Sequence, residues 1–176
     1  ELKENNKPEY IKKQVIEIIK KIAGIDEEIY IDVLTGAYNR KYYEENIKMT
    51  TRVSGIAMLD LDDFKLYNDT FGHMAGDVAL EKVVSVIKKE IRKTDLIIRY
   101  GGDEFLIVMP GIEENTFVKK IKHIRETIDN TKVPRYPKLK LSVSIGGVIS
   151  GGQPIEKAVE KADKLMYKAK IKKNMV

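Results

Sequence analysis

The sequence predicts an α+β domain, a mostly antiparallel central sheet surrounded by helices. Three observations carry this. The predicted elements follow in the order strand, helix, hairpin, helix, strand, helix. Two apolar, β-branched runs, Asp95-Leu-Ile-Ile-Arg-Tyr100 and Phe105-Leu-Ile-Val-Met109, flank Gly101-Gly102 as the arms of a hairpin. The remaining apolar residues recur at helical spacing between the strand-like runs.

Taken in order, Ile11, Val15, Ile18, Ile19 and Ile22 make an amphipathic helix over residues 8–23, behind Pro8 and ending near Gly24. Residues 1–29 are therefore set apart as an N-terminal helix and linker, ahead of one domain over 30–176. The helix either packs on its own domain or serves as a signalling stalk that pairs with a second copy. Asn39 to about Lys48 is expected to be helical, and Val53–Asp60 is the first core strand. From Gly72 to Arg92 a long helix carries Ala79, Leu80, Val83, Val84, Ile87 and Ile91 on one face. The hairpin occupies 96–109, with Gly101-Gly102 supplying the positive φ angles of a tight turn. Residues 114–130 are expected to be helical, Leu139–Ile149 a strand and Pro154–Lys172 the last helix, with Pro134 and Pro137 in the loop between.

The 176 residues, 43% of them hydrophobic, suffice for one domain with a proper core. No cysteine is present, which excludes disulfides, thiolate zinc sites and cysteine nucleophiles. The net charge of +5 comes without a long block of Lys and Arg. A solvated surface with a pocket for a polyanionic nucleotide is expected rather than nucleic-acid binding. No apolar run approaches a membrane span and no signal peptide is visible. A cytoplasmic domain is expected. The chain opens on Glu1 rather than Met, as a piece of a longer protein would, and any membrane contact would come through a part that precedes it.

Acids stand where core residues belong. Asp103 and Glu104 open an otherwise apolar strand, and burying a bare carboxylate is costly. Ile56-Ala-Met-Leu-Asp-Leu-Asp-Asp-Phe64 ends a second apolar run in acids, with Asp60 and Asp62 two apart and so on one face of an extended chain. Such acids repel one another unless a cation is present. Mg²⁺ takes oxygen ligands, commonly one or two carboxylates plus substrate phosphates.

Gly101-Gly-Asp-Glu-Phe105 is the signature of GGDEF domains, and the chain resembles a diguanylate cyclase. The likeness covers about residues 30–174. Asp60-Leu-Asp-Asp-Phe-Lys-Leu-Tyr-Asn-Asp-Thr-Phe-Gly-His-Met-Ala-Gly-Asp77 matches the long second motif nearly residue for residue. Asp32-Val-Leu-Thr-Gly-Ala-Tyr-Asn-Arg40 resembles the opening motif. Ser142-Val-Ser-Ile-Gly146 and Ala162-Asp-Lys-Leu-Met-Tyr-Lys-Ala-Lys170 resemble the closing strand and last helix. The resemblance implies the palm-like sheet of nucleotidyl cyclases and the condensation of two GTP into cyclic di-GMP, with release of two pyrophosphates.

It further implies that Asp60, the backbone carbonyl of Leu61 and Asp103 hold Mg²⁺ or Mn²⁺, and that either Asp103 or Glu104 assists proton removal. Gly101 and Gly102 leave room for nucleotide. The backbone at Asp63-Phe64, with Lys65, is placed to hold a triphosphate. Asn68 and Asp77 are expected to read guanine, and an Asp at position 77 points to GTP. His73, one turn before Asp77, is either structural or a ligand contact. The C-terminus departs from the family's Ala-Lys, two residues, Gly-Arg-Asn: Lys170 is followed by Ile171-Lys-Lys-Asn174. Lys170 and Lys173 both remain candidates for the β- and γ-phosphates, Lys173 also being readable as part of a solvated tail. Lysine lacks arginine's bidentate fork, so weaker substrate binding is expected.

Arg92-Lys-Thr-Asp95, with five residues between Asp95 and Gly101, resembles the family's RxxD product-inhibition site. With one set of ligands per domain, a symmetric condensation demands a homodimer. Two other readings compete with an active cyclase. A non-catalytic module that binds GTP or cyclic di-GMP would normally have lost some of these acids and glycines. Another palm-fold nucleotidyl enzyme would not share the guanine motif.

Overall fold

A computed structural model describes Ile11, Lys12, Val15 and residues 27–174. The helix expected over 8–23 lies outside the described residues, apart from Ile11, Lys12 and Val15, which are helical. Four antiparallel strands form the sheet: β1 (Ser54–Leu61), β2 (Leu96–Arg99), β3 (Glu104–Pro110) and β4 (Val143–Ile149), in the order β2-β3-β1-β4. The longest helices are α3 (His73–Glu90), α4 (Glu114–Asp129) and α5 (Ile155–Asn174). Two shorter ones precede them: α1 (Arg40–Tyr42, continued by a π-helical turn over Tyr43–Ile47) and α2 (Phe64–Phe71).

Helices cover both faces of the sheet, so every residue of β1 is buried. On one face Ala57, Leu59 and Leu61 pack with Ala79, Leu80, Val83, Val84 and Ile87 of α3 and with Phe117, Ile124 and Ile128 of α4. On the other, Ile56 and Met58 pack with Tyr43 of α1 and with Ile155, Val159, Ala162 and Met166 of α5. The helix seats closely because a Cβ at Gly146 of β4 would overlap the α5 backbone at Ala162 and Met166. Alternation along β1 therefore aims Asp60, two residues past Met58, at the α5 face.

Three expectations are corrected. The final strand begins at Val143 rather than Leu139; the preceding residues form only an isolated bridge, Lys132 with Lys140. A helix not foreseen, α2, follows β1 at once through Asp63 in the left-handed region (φ 57°). Gly101 and Gly102 do not take positive φ. What space the turn has differs between the two glycines. A Cβ at Gly101 would overlap the Glu104 carboxylate, and a Cβ at Gly102 would meet nothing within 4 Å.

Candidate functional site

The site forms where β1 ends. Asp60 lies opposite Glu104 of β3 and Ser144 of β4 in the strand register. The Leu61 N–H donates to the Asp103 carbonyl at 3.1 Å, which brings the hairpin turn over the end of β1. Asp60 and Glu104 thus share one side of the sheet, with α5 above them, and Asp103 is near enough for its charge to act on both.

Their charges interact. Burial raises the Asp60 pKa, and Asp103 and Asp62 add to this, against the opposing pull of Lys170, whose Nζ lies 2.6 Å from Asp60 Oδ1. Burial also raises the Glu104 pKa, reinforced by Asp60, Asp103 and Asp163. Lys170 is pulled toward neutrality by burial, but the same group of acids outweighs this and raises its pKa. Both partners of the ion pair shift upward, Asp60 chiefly by burial and Lys170 by the several carboxylates it faces. A cluster with this excess of negative oxygen has the donor chemistry of a hard dication. Among the described residues no three Asp, Glu, His or Cys side chains form a ready-made cage. A cation here would complete its shell with a main-chain carbonyl and ligand oxygens.

Asp62 behaves differently. Its side chain is buried and accepts from Ser142 Oγ (2.7 Å), Ser144 Oγ (2.6 Å) and Lys173 Nζ (2.7 Å). Burial works against this carboxylate, yet Lys173, Ser144 and Ser142 hold its pKa below the usual aspartate range. Lys173 also contacts Ser142 Oγ. The two C-terminal lysines therefore both sit on carboxylates.

Next to the acids, α2 starts at Phe64 immediately after the left-handed Asp63, and Lys65 stands exposed in its first turn. The first N–H groups of a helix lack intrahelical acceptors, which suits an anion. Asn68 faces the first turn of α3: a Cβ at Gly76 would overlap its Oδ1. That oxygen is the one buried side-chain polar atom without a hydrogen-bond partner among the described residues. Buried acceptors are normally satisfied, which sets this oxygen apart. Asp77 and His73 are exposed on the same helix, α3.

Arg92 and Asp95 lie apart from this group, just before β2. The guanidinium closes on the Asp95 carboxylate, with Nη2 2.7 Å from Oδ1 and Nε 3.1 Å from each oxygen, and Nη2 also donates to the Pro110 carbonyl at 3.1 Å. Both residues line an open cavity of about 360 Å³ with Ile31, Tyr38, Lys88 and Ile97.

Sequence reasoning missed two arginines that hold the hairpin. Arg99 donates from Nε (3.1 Å) and Nη2 (2.7 Å) to the Gly102 carbonyl. Arg40 stacks on the Tyr100 ring, 4.3 Å from its centroid. The signal was their placement, Arg99 two residues before the glycines and Arg40 closing the opening motif.

The family model for the GGDEF domain of diguanylate cyclases matches residues 29–175. The chain belongs to this family. It is 35% identical over 153 residues to diguanylate cyclase DosC of Escherichia coli K12, covering 81% of this chain and 33% of that protein. The chain thus spans about a third of the length of such curated relatives. Among solved structures, diguanylate cyclase SiaD of Pseudomonas aeruginosa, in complex with its activator SiaC, superposes with TM-score 0.79 and 26% identity, covering 95% of this chain and 68% of that one. The GGDEF domain of Caulobacter crescentus DgcB, in complex with c-di-GMP, gives TM-score 0.74 and 27% identity, covering 81% and 91%.

Proposed function

We propose that this chain is a catalytic diguanylate cyclase domain that condenses two GTP into cyclic di-GMP. The observation that carries this is the convergence of Asp60, Asp103 and Glu104 at the end of β1, beside Lys170 and the α2 N-terminus. Asp60, the Leu61 carbonyl and Asp103 would hold Mg²⁺ or Mn²⁺, which would supply neutralisation of phosphate charge and a lowered hydroxyl pKa.

The residues of the chain do the rest. The α2 N-terminus at Asp63-Phe64, with Lys65 and Lys170, positions the triphosphate, while Lys173 stays on Asp62. Gly101 and Gly102 keep the turn bare beside it. Asn68 Oδ1 accepts from the guanine 2-amino group, and Asp77 accepts from N1–H. His73 borders the base. The 3′-oxygen of one GTP then attacks the α-phosphorus of the other, and the P–O bond to pyrophosphate breaks. Glu104, whose pKa burial and the neighbouring acids raise, takes the proton of the attacking hydroxyl. Repetition with the roles of the nucleotides exchanged closes the ring and releases the second pyrophosphate.

Each domain holds one GTP, so catalysis needs a C2 homodimer. Arg92 and Asp95 bind the product as an inhibitor. Among the described residues no helix is long and apolar enough to cross a membrane, and the domain works in the cytoplasm, where GTP is.

Purified protein given GTP and Mg²⁺ should yield cyclic di-GMP and two equivalents of pyrophosphate. Asp60→Asn and Asp103→Asn should each lower turnover by about 100-fold or more while the circular dichroism spectrum is retained. Near-normal turnover in either variant overturns the assignment.

A further inference from the structure

Lys170 and Lys173 stand three apart on α5, and each meets one of two aspartates that stand two apart at the end of β1. The two pairs look alike but are built differently. Asp62 has both oxygens engaged, Oδ1 by Ser144 and Oδ2 by Ser142 and Lys173. Ser142 and Ser144 belong to the closing-strand segment, so this pair ties the end of α5 to β1 and to β4. Asp60 accepts one hydrogen bond among the described residues, from Lys170. Its side chain is 9% exposed, while that of Lys170 is 35% exposed and so has solvent to move into.

A nearly buried carboxylate with a single, movable partner differs in kind from one locked by three donors. Asp60 is also the carboxylate opposite Glu104 and electrostatically coupled to Asp103. An ammonium on its Oδ1 occupies coordination space that a dication would need. Leaving that space without replacement would strand several acids together, at a cost in mutual repulsion.

We propose that Lys170 is a resident counter-ion of Asp60 which a divalent cation must displace, and that the displaced ammonium passes to the nucleotide phosphates, so that metal and nucleotide bind as a coupled pair. Lys173 does not take part in the exchange and remains on Asp62 as a permanent clasp. The inference rests on the reading of Asp60 as a metal ligand. Its consequence is a site that discriminates against either ligand alone. The cation by itself must break the Lys170 pair with no phosphate to receive the lysine, and the nucleotide by itself meets a lysine already engaged. By linkage, each ligand then tightens the other by the same factor.

Mn²⁺ binding, followed by the electron paramagnetic resonance signal of the free ion, tests this without turnover. The intact chain should bind Mn²⁺ alone weakly, and guanosine α,β-methylene triphosphate should tighten it. Lys170→Gln should tighten Mn²⁺ alone by about fivefold, the worth of a part-buried ion pair, and should shrink the enhancement by nucleotide. Lys173→Gln should leave Mn²⁺ alone unchanged. Circular dichroism confirms that each variant folds. Mn²⁺ affinity unchanged or lowered in Lys170→Gln, with binding lost in Asp60→Asn, overturns the exchange and leaves the metal site standing. An equal gain from Lys173→Gln also overturns it, since general charge removal would then explain both. Unaltered Mn²⁺ binding in Asp60→Asn defeats the metal-ligand reading itself, and the exchange with it.

Discussion

Arg99 joins Asp32 to the hairpin. Its Nη1 lies 3.2 Å from both Asp32 carboxylate oxygens, while its Nε and Nη2 hold the Gly102 carbonyl. Asp32 is itself fixed by Thr35, which donates from its N–H at 2.9 Å and its hydroxyl at 2.6 Å. One guanidinium thus ties the segment leading into the domain to the turn that carries Asp103. Lysine has no planar fork with which to hold two acceptors at once. Arg99→Lys should lower turnover by about tenfold, since a small misplacement of a reacting group is costly. Steady-state kinetics beside a thermal melt checks this; a normal kcat sinks it.

Base selection should fail at Asp77. Serine cannot accept both guanine donors, so Asp77→Ser should lose about 1–3 kcal/mol of preference for GTP and admit ATP. Products formed from an equimolar GTP and ATP mixture report the change. A product spectrum identical to that of the unaltered chain would remove Asp77 as the base reader.

Assembly and feedback are separable in one dilution series. Specific activity should rise with protein concentration, because two domains must meet, and a strong dimeric coiled coil fused ahead of residue 1 should raise it further. Arg92→Ala should relieve inhibition by added cyclic di-GMP while initial turnover stays largely intact, as Arg92 lies away from the acids. Flat activity across dilution, or inhibition that persists in the variant, counts against this.

Stability should depend on pH through Asp62. Its folded pKa is depressed, so its contribution is fully present above the ordinary aspartate range and is lost as pH falls through the folded value. Asp62→Asn should therefore cost about 1–2 kcal/mol at pH 7, and the difference from the unaltered chain should shrink in acid. Urea denaturation at pH 7 and near pH 3 measures both. An equal difference at the two values would remove the charge from the explanation.

Much of this domain is legible from residue order. The strand at 54–61, the hairpin and the helices at 73–90, 114–129 and 155–174 follow from apolar spacing, because core-facing residues must recur at the period of their element. The eight residues of α2 escaped this reading. Phe64, Tyr67 and Phe71 do fall at helical spacing and meet the core, but they span only about two turns, too short a period to stand out beside the acids that precede them. The acids at 60, 103 and 104 declared themselves because ionised groups inside apolar runs have no structural use.

The sequence by itself determined the family, the sheet and the candidate site residues of its motifs, since motifs and hydrophobic period are properties of local order. Only the tertiary structure decided how those residues divide the work. Asp60 and Asp62 are equivalent on paper, yet Ser142 and Ser144, some eighty positions away, occupy one and leave the other to a single lysine. Gly101 takes no positive φ, and a Cβ there would crowd the Glu104 carboxylate. The Arg99 link spans 67 positions to Asp32. Contacts between residues far apart in the chain depend on how strands and helices stack, and no local pattern encodes that.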